Sequence, residues 1–417
     1  MCERMNVPLL DLHAQYKTIK ADIHESVSNV LDSQFFIMGK TVKDFERQVA
    51  HYCNSEHAFG CASGSDALLL ALMAIDLKAD EYVITTPFTF FATAGAISRV
   101  GATPLFVDID PHTFNIDPKK IEAALQGDHP VIKREKIDSK KIKAIIPVHL
   151  YGQMADMPQI MNIAAEFGLK VIEDAAQSIG SELNGIKAGN FGDFGCFSFF
   201  PSKNLGAYGD AGLITVKDDE LVEKVDILRL HGARPKYHNK YIGMNSRLDA
   251  LQAAILSVKL KYLDEWSAKR REKAMIYNSL FQESSIVQPM PHCCDECDCT
   301  SSYNCDLSTK KIVLPLEKEG APAQGGKHIY HQYTMRVQNR DLVMSKLKEK
   351  GIGSAVYYPI PMHLQECYLY LGYIKENLPN SVCAAKQALS LPMYPELTYN
   401  MQMHVVEQLT SILHGTY

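Results

Sequence analysis

No stretch of this 417-residue chain approaches the ~18 consecutive apolar residues of a membrane-spanning helix. The opening residues, MCERMNVPLLDLHAQ, contain no secretory hydrophobic segment, so the cytoplasm is the expected compartment. Excess charge of one sign is also missing. Lys and Arg number 43 against 48 Asp and Glu, a net charge of −5, so neither nucleic acid nor a membrane is expected as a partner. There is no internal repeat and no basic helix-turn-helix appendage. Gly189, Gly192 and Gly195 lack the GxGxxG spacing and βαβ setting of a dinucleotide site. A disulfide framework is not expected of a chain without an export signal.

What is present is ordinary soluble composition: 46% hydrophobic and 22% charged residues. The length allows two domains and a large core. Of eleven cysteines, five fall between Cys293 and Cys305. Cys2, Cys53, Cys61, Cys196, Cys367 and Cys383 are scattered, as small core hydrophobes or surface thiols are. Cys294 and Cys297 have the CxxC spacing that holds zinc, but a well-spaced second pair is absent. The expectation is therefore a cysteine-rich surface insertion near 290–327 with no metal.

From 59 to 216 short apolar runs alternate with helical patterns. Strands are expected at Tyr82–Thr85, Pro104–Asp108, Ala144–Val148, Lys170–Glu173, Cys196–Phe200 and Leu213–Val216. Helices are expected at 66–77, 89–99, 118–126 and 156–168. This rhythm predicts an α/β fold with a mostly parallel sheet between helices. A further helical pattern opens at Ser246, with Asp249 three residues later in the position of a capping box. Lys133–Lys143 reads as a solvated loop. The expected domains are a large one at 51–260 and a smaller α/β one at 261–417.

Chemistry concentrates in 170–212. Asp174 closes the apolar run Val171-Ile172, and Lys203 follows a second run, Cys196 to Phe200. Both therefore stand at carboxyl ends of strands, where open α/β sheets build their sites. A carboxylate to pair with a protonated pyridine nitrogen and a lysine to bond an aldehyde are what pyridoxal phosphate requires. Gly64-Ser65 precedes the helical pattern Asp66-Ala67-Leu68-Leu69, a natural anion site at a helix start. Taken alone it reads first as a plain helix cap.

With Ser63-Gly64-Ser65-Asp66-Ala67-Leu68, Pro87-Phe88-Thr89-Phe90, Pro147-Val148-His149-Leu150-Tyr151-Gly152, Glu173-Asp174-Ala175-Ala176-Gln177-Ser178, Ser198-Phe199-Phe200-Pro201-Ser202-Lys203 and Asn245-Ser246-Arg247-Leu248-Asp249, the chain resembles the DegT/DnrJ family of sugar aminotransferases. The resemblance runs from about residue 7 to about 412, interrupted near 290–327. It implies pyridoxal 5'-phosphate (PLP), the aspartate aminotransferase fold (fold type I) with a seven-stranded-type sheet, and an N-terminal segment, 1–50, packed on the small domain.

The resemblance also implies roles. Lys203 is the aldehyde-bonding lysine and Asp174 the partner of the ring nitrogen. Gly64, Ser65 and Ser198 hold the phosphate; the family usually has Asn-Gly-Thr where this chain has Ser63-Gly64-Ser65. Phe90 stacks on the ring, and Gln177 bonds its phenolic oxygen. Asn245 reaches the phosphate of a neighbouring subunit, which implies a homodimer with shared sites. The reaction implied is transfer of an amino group from glutamate to a nucleotide-linked keto sugar. A dehydratase branch has His at the lysine position, whereas this chain has Lys203.

The segment Asn204–Gly212 and the run Val356–His363 are similar to the branch that aminates C3, with C4 amination or a PLP-dependent sugar dehydratase as the alternative. A silent PLP-binding regulator is the reading from another class. His149, Tyr151, Tyr357 and His363 are candidate sugar contacts, or core polar groups. Arg234, Lys236 and His238 are candidates for a diphosphate or sugar carboxylate, or plain surface charges.

Overall fold

The computed structural model describes residues 5–287, 311–317 and 326–415. The large sheet contains β1 (His57–Cys61), β2 (Tyr82–Thr85), β3 (Thr103–Phe106), β4 (Ile142–Ile146) and β5 (Lys170–Asp174). A small hairpin of β6 (Glu182–Leu183) and β7 (Ile186–Lys187) leads to its last two strands, β8 (Phe194–Ser198) and β9 (Gly212–Val216). The seven strands lie in the order β1-β9-β8-β5-β4-β2-β3. β9 runs antiparallel to both its neighbours, and the remaining pairs are parallel.

Parallel strands are covered on both faces, so they read as unbroken apolar runs. Successive side chains serve opposite faces. On β2, Ile84 joins one core cluster and Val83 the other. The Val83 face packs α3 (Gly64–Ala74), α4 (Phe91–Arg99) and α8 (Asp219–Leu228). The Ile84 face packs α2 (Gly39–Cys53), α5 (Pro118–Leu125), α7 (Met157–Phe167) and α9 (Ala250–Leu260).

A second, antiparallel sheet has β10 (Ile312–Val313), β11 (Tyr333–Val337) and β12 (Ala388–Leu391). α10 (Leu263–Glu283), α11 (Arg340–Glu349) and α13 (Tyr399–His414) cover it through Tyr277, Phe281, Val343, Leu347, Val405 and Leu409. α12 (Pro379–Gln387) is capped from the large sheet. Asp108 accepts the N–H groups of Asn380 and Ser381 and the Ser381 hydroxyl, which satisfies first-turn donors that Leu378 has no side chain to meet.

Several expectations need correcting. The edge strand β1 was not anticipated. The helix expected from Ser246 begins at Ala250, and Ser246 makes no capping box. Its hydroxyl instead donates to Asp66 and accepts the Ala62 N–H. Lys133–Lys143 is not a plain loop. It carries the end of α6 (Pro130–Glu135) and a 3-10 turn, Ser139–Lys141, because Pro130 and the His129 side chain start a helix there.

The N-terminal segment, expected on the small domain, divides its contacts, and its α2 lies in the core of the large sheet. Val7 does dock beside Ile352, exchanging hydrogen bonds with Gly351 and Gly353. α1 (Leu12–Ser33), however, lays Ile19 and Ile23 on Ile255, Val258 and Trp266 of α9 and α10. The cysteine cluster expected at Cys293–Cys305 lies outside the described residues. Among the described residues no helix is long and apolar enough to cross a membrane.

Candidate active site

The carboxyl ends of β2, β4, β5 and β8 open onto one cavity of about 530 Å³, within the usual size of a small-molecule site. Asp174, the last residue of β5, is 5% exposed there. Its Oδ2 accepts the Thr93 hydroxyl at 2.7 Å, and its Oδ1 accepts the Ala176 N–H at 3.2 Å. Thr93 in turn contacts the Thr89 hydroxyl at 2.9 Å. Burial pushes the Asp174 carboxyl upward, and the two donors pull it back.

Lys203 follows β8 on a turn closed by Lys203 N–H to Phe200 O and Ala207 N–H to Phe199 O, both 2.8 Å. Burial lowers its amine to about 8, opposed by the negative charge of Asp174. Asn204, the next residue, contacts His331 Nδ1 through its Oδ1 at 3.1 Å and donates to Ile329 O at 3.3 Å. His331 and Gln332, entering β11, thereby reach the cavity wall. Burial first, then Lys203 and Arg270, hold His331 well below the usual imidazole range.

The turn Ser63–Ser65 starts α3 on the same wall. Ser63 Oγ caps the Asp66 N–H at 3.1 Å. The remaining first-turn N–H groups have no partner within the helix. Gly64 presses against β8 so closely that a Cβ on it would lie 2.6 Å from Ser198 Cβ. Ser198 itself lines the cavity at the end of β8.

Gln177 is held at both ends. Its Oε1 accepts the Tyr151 N–H at 2.8 Å, and its Nε2 donates to Tyr358 Oη at 3.1 Å. Phe90 is 59% exposed on the cavity wall, its ring 6.1 Å from that of Tyr358.

The cavity thus brings together Gly64, Ser65, Phe90, Asp174, Gln177, Ser198, Lys203 and Tyr357. It does not bring in His149, whose ring is fully buried. His149 Nε2 donates to Glu173, and Nδ1 accepts the Ala155 N–H. Nor does it bring in the Tyr151 hydroxyl, which is spent on the Tyr357 carbonyl. His363 is 0% exposed beside Tyr373 and away from the cavity; burial lowers its ring to about 4. These three side chains are core polar groups here, not wall residues.

Asn245 is exposed outside the cavity, five residues before α9 rather than at a helix start. Arg234, Lys236 and His238 lie on an exposed loop, where Arg234 pairs with Asp226. Sequence reasoning missed Thr93, His331, Gln332 and Tyr358. Thr89 and Thr93, four apart at a helix start, were a visible signal for one hydroxyl pair. Nothing in the sequence linked His331 to a lysine 128 residues away.

The DegT/DnrJ/EryC1/StrS aminotransferase family matches residues 17–310 and 296–410. A pleiotropic regulatory protein of Geobacillus stearothermophilus is 48% identical over 97% of this chain and 98% of its own length. A UDP-N-acetyl-3-dehydro-alpha-D-glucosamine 3-aminotransferase of Acidithiobacillus ferrooxidans is 39% identical over the full length of both. NtdA of Bacillus subtilis, solved with bound cofactor PMP, superimposes with a TM-score of 0.78 at 31% identity, over 97% of this chain and 83% of NtdA.

Proposed function

Because this chain belongs to the DegT/DnrJ/EryC1/StrS aminotransferase family, we propose that it is a PLP-dependent aminotransferase that moves an amino group from glutamate to C3 of a nucleotide-linked keto sugar. The observation that carries this reading is that Lys203 and Asp174 share the wall of one cavity with the Ser63–Ser65 turn.

The donor set fits the cofactor. Gly64 and Gly212 have no room for a Cβ against Ser198 and Ser63 respectively, so the backbone there forms a close-packed cradle for an anion. Asp174 is a buried carboxylate whose hydrogen-bond partners are neutral donors, as a residue awaiting a cationic ring nitrogen should be.

Gly64, Ser65 and Ser198 would hold the phosphate, Phe90 would cover the ring, and Gln177 would donate to its phenolic oxygen. When bound, the cofactor supplies an electron sink for the donor's α-carbon. Asp174 would keep the proton at the ring nitrogen. With the cofactor bound, the Lys203 amine would take the proton from the donor's α-carbon and later return one on the acceptor side. Its amine near 8 leaves a useful neutral fraction for that work. Tyr357 faces the sugar. Asn245, exposed outside its own cavity, completes the phosphate site of a second copy, so the working unit is a homodimer in the cytoplasm.

C3 amination is supported by the Asn204–Gly212 and Val356–His363 segments and by the 39%-identical relative named a 3-aminotransferase. The 48%-identical relative named a regulatory protein favours a second reading, a protein that binds the cofactor without turnover. Lys203 on the cavity wall weighs for catalysis.

The test is absorbance of the purified protein with PLP, then with glutamate. Loss of the lysine-bound band in favour of a pyridoxamine band is expected, followed by its reversal with a 3-keto nucleotide sugar. A band unmoved by glutamate would refute glutamate as donor. Reversal by a 4-keto sugar alone would move the assignment to C4.

A further inference from the structure

Lys259 is a buried cation that the proposed chemistry does not use. It lies in α9 and is 1% exposed. Its Nζ donates to the carbonyl of Gly206 at 2.7 Å and stands 4.4 Å from the centre of the Tyr208 ring. Burial is the cause that pulls its amine down to about 8; no neighbouring charge enters. An ammonium kept out of water at this cost, where a Met would fill the space, is placed for its hydrogen bond.

The carbonyl it holds belongs to the Lys203 turn. That turn is so tight that a Cβ on Gly206 would lie 2.3 Å from the Pro201 carbonyl oxygen. Gln252, two helical turns before Lys259 and on the same face of α9, grips the adjoining residue. Its Oε1 accepts the Tyr208 N–H at 2.9 Å, and its Nε2 donates to Tyr208 O at 3.3 Å. α9 therefore fastens Gly206 and Tyr208 by three hydrogen bonds. One end of this segment carries Lys203, and beyond its other end Asp210 and Ala211 line the cavity. Tyr208 also meets the Tyr16 ring of α1 edge-on, at 6.1 Å, so the anchor has a second layer behind it.

We infer that Lys259 is a positioning residue for Lys203: its ammonium clamps the Gly206 carbonyl to α9 and so sets where the Lys203 amine stands in the cavity. The inference rests on the proposed role of Lys203. A misplacement of the reacting amine by a fraction of an ångström slows proton transfer while leaving donor binding nearly intact.

The experiment compares wild type, Lys259→Met, Gln252→Ala and Lys203→Ala as purified full-length proteins loaded with PLP. Single-turnover reaction with glutamate, glutamate KM and the pH midpoint of the bound cofactor's absorbance are measured. Lys259→Met is expected to slow the half-reaction about tenfold with little change in KM, and to shift the absorbance midpoint. Gln252→Ala, on the half-exposed end of the same grip, is expected to slow it about threefold.

A folded Lys259→Met with wild-type rate and midpoint overturns the inference. If Lys259→Met does not fold, an unchanged rate in Gln252→Ala overturns it instead. A Lys203→Ala protein that keeps the lysine-bound absorbance would refute the assignment of Lys203, separately from anything Lys259 does.

Discussion

Thr93 Oγ1 donates to Asp174 Oδ2 at 2.7 Å, joining the first turn of α4 to the last residue of β5 across 81 positions of sequence. A hydroxyl here favours the charged carboxylate against its burial. Thr93→Val keeps the volume and removes the donor. A hydrogen bond to a charged group is worth roughly 1.5–3 kcal/mol. The glutamate half-reaction should fall on the order of tenfold or more, with the fold intact by circular dichroism. An unaltered rate would show that Asp174 does not depend on Thr93.

The Lys203 amine, lowered to about 8, sets the pH dependence of cofactor capture by the apo-protein. Only the neutral amine attacks the aldehyde. Capture, followed by absorbance, should accelerate with pH up to about 8 and then level off. A rate still climbing toward 10 would contradict the lowered value. Lys203→Ala should abolish both the lysine-bound absorbance and turnover.

Two lysines also predict how stability varies with pH. Lys203 and Lys259 titrate near 8 in the folded chain, against 10.5 for an ordinary lysine. Above about 8 the unfolded chain therefore binds more protons at these sites than the folded chain. Their contribution to stability rises with pH from about 8 toward about 10. In denaturant melts of apo-protein, Lys259→Met should show a shallower rise than wild type across that window. Parallel curves would place the Lys259 amine at its ordinary value.

Glu173 accepts from four donors. Oε1 takes the N–H groups of Phe191 and Gly192, and Oε2 takes Gly189 N–H and His149 Nε2. The residue is 0% exposed and sits beside Asp174 on β5. Glu173→Ala leaves these donors buried without an acceptor, at a cost of roughly 1–3 kcal/mol for each one left unpaired. A thermal melt would show the loss, and cofactor retention should fall with it because the strand end shifts. A melt within a degree or two of wild type would show that water replaces the carboxylate.

Co-expression tests the shared site. Asn245→Ala alone should weaken cofactor retention, and Lys203→Ala alone should be inactive. In a mixed dimer, one cavity pairs an intact Lys203 with an intact Asn245 from the other chain. Mixing the two inactive or weakened proteins during expression should therefore restore turnover. No restoration, with mixed dimers demonstrated by differential tags, would confine each site to one chain.

Much of this was legible in the sequence because strand interiors and strand ends are local facts. The runs around Val171-Ile172 and Cys196–Phe200 marked buried strands, and the polar residues after them had to lie at one edge of the sheet. The observed strands differ from those expected by one or two residues at several ends, as at β3 and β4. β1 escaped notice because His57–Cys61 is short and mixed, and it is specified by pairing with β9 rather than by its own pattern. Ser246 misled because a hydroxyl three residues before an acid looks the same whether it caps a helix or reaches Asp66 of another element.

His149 and His363 show where residue type runs out. As residues they were equal candidates for a sugar contact. One is bound on both nitrogens within the core, and the other is sealed beside Tyr373, away from the cavity. By itself the sequence determined the family, the parallel sheet, and the placing of Asp174 and Lys203 at carboxyl ends of strands, because those follow from short-range order along the chain. Only the tertiary structure decided that Thr93, His331, Tyr358 and Lys259 surround them. Those contacts join residues from 51 to 181 positions apart, and packing energy, not local propensity, brings such residues together.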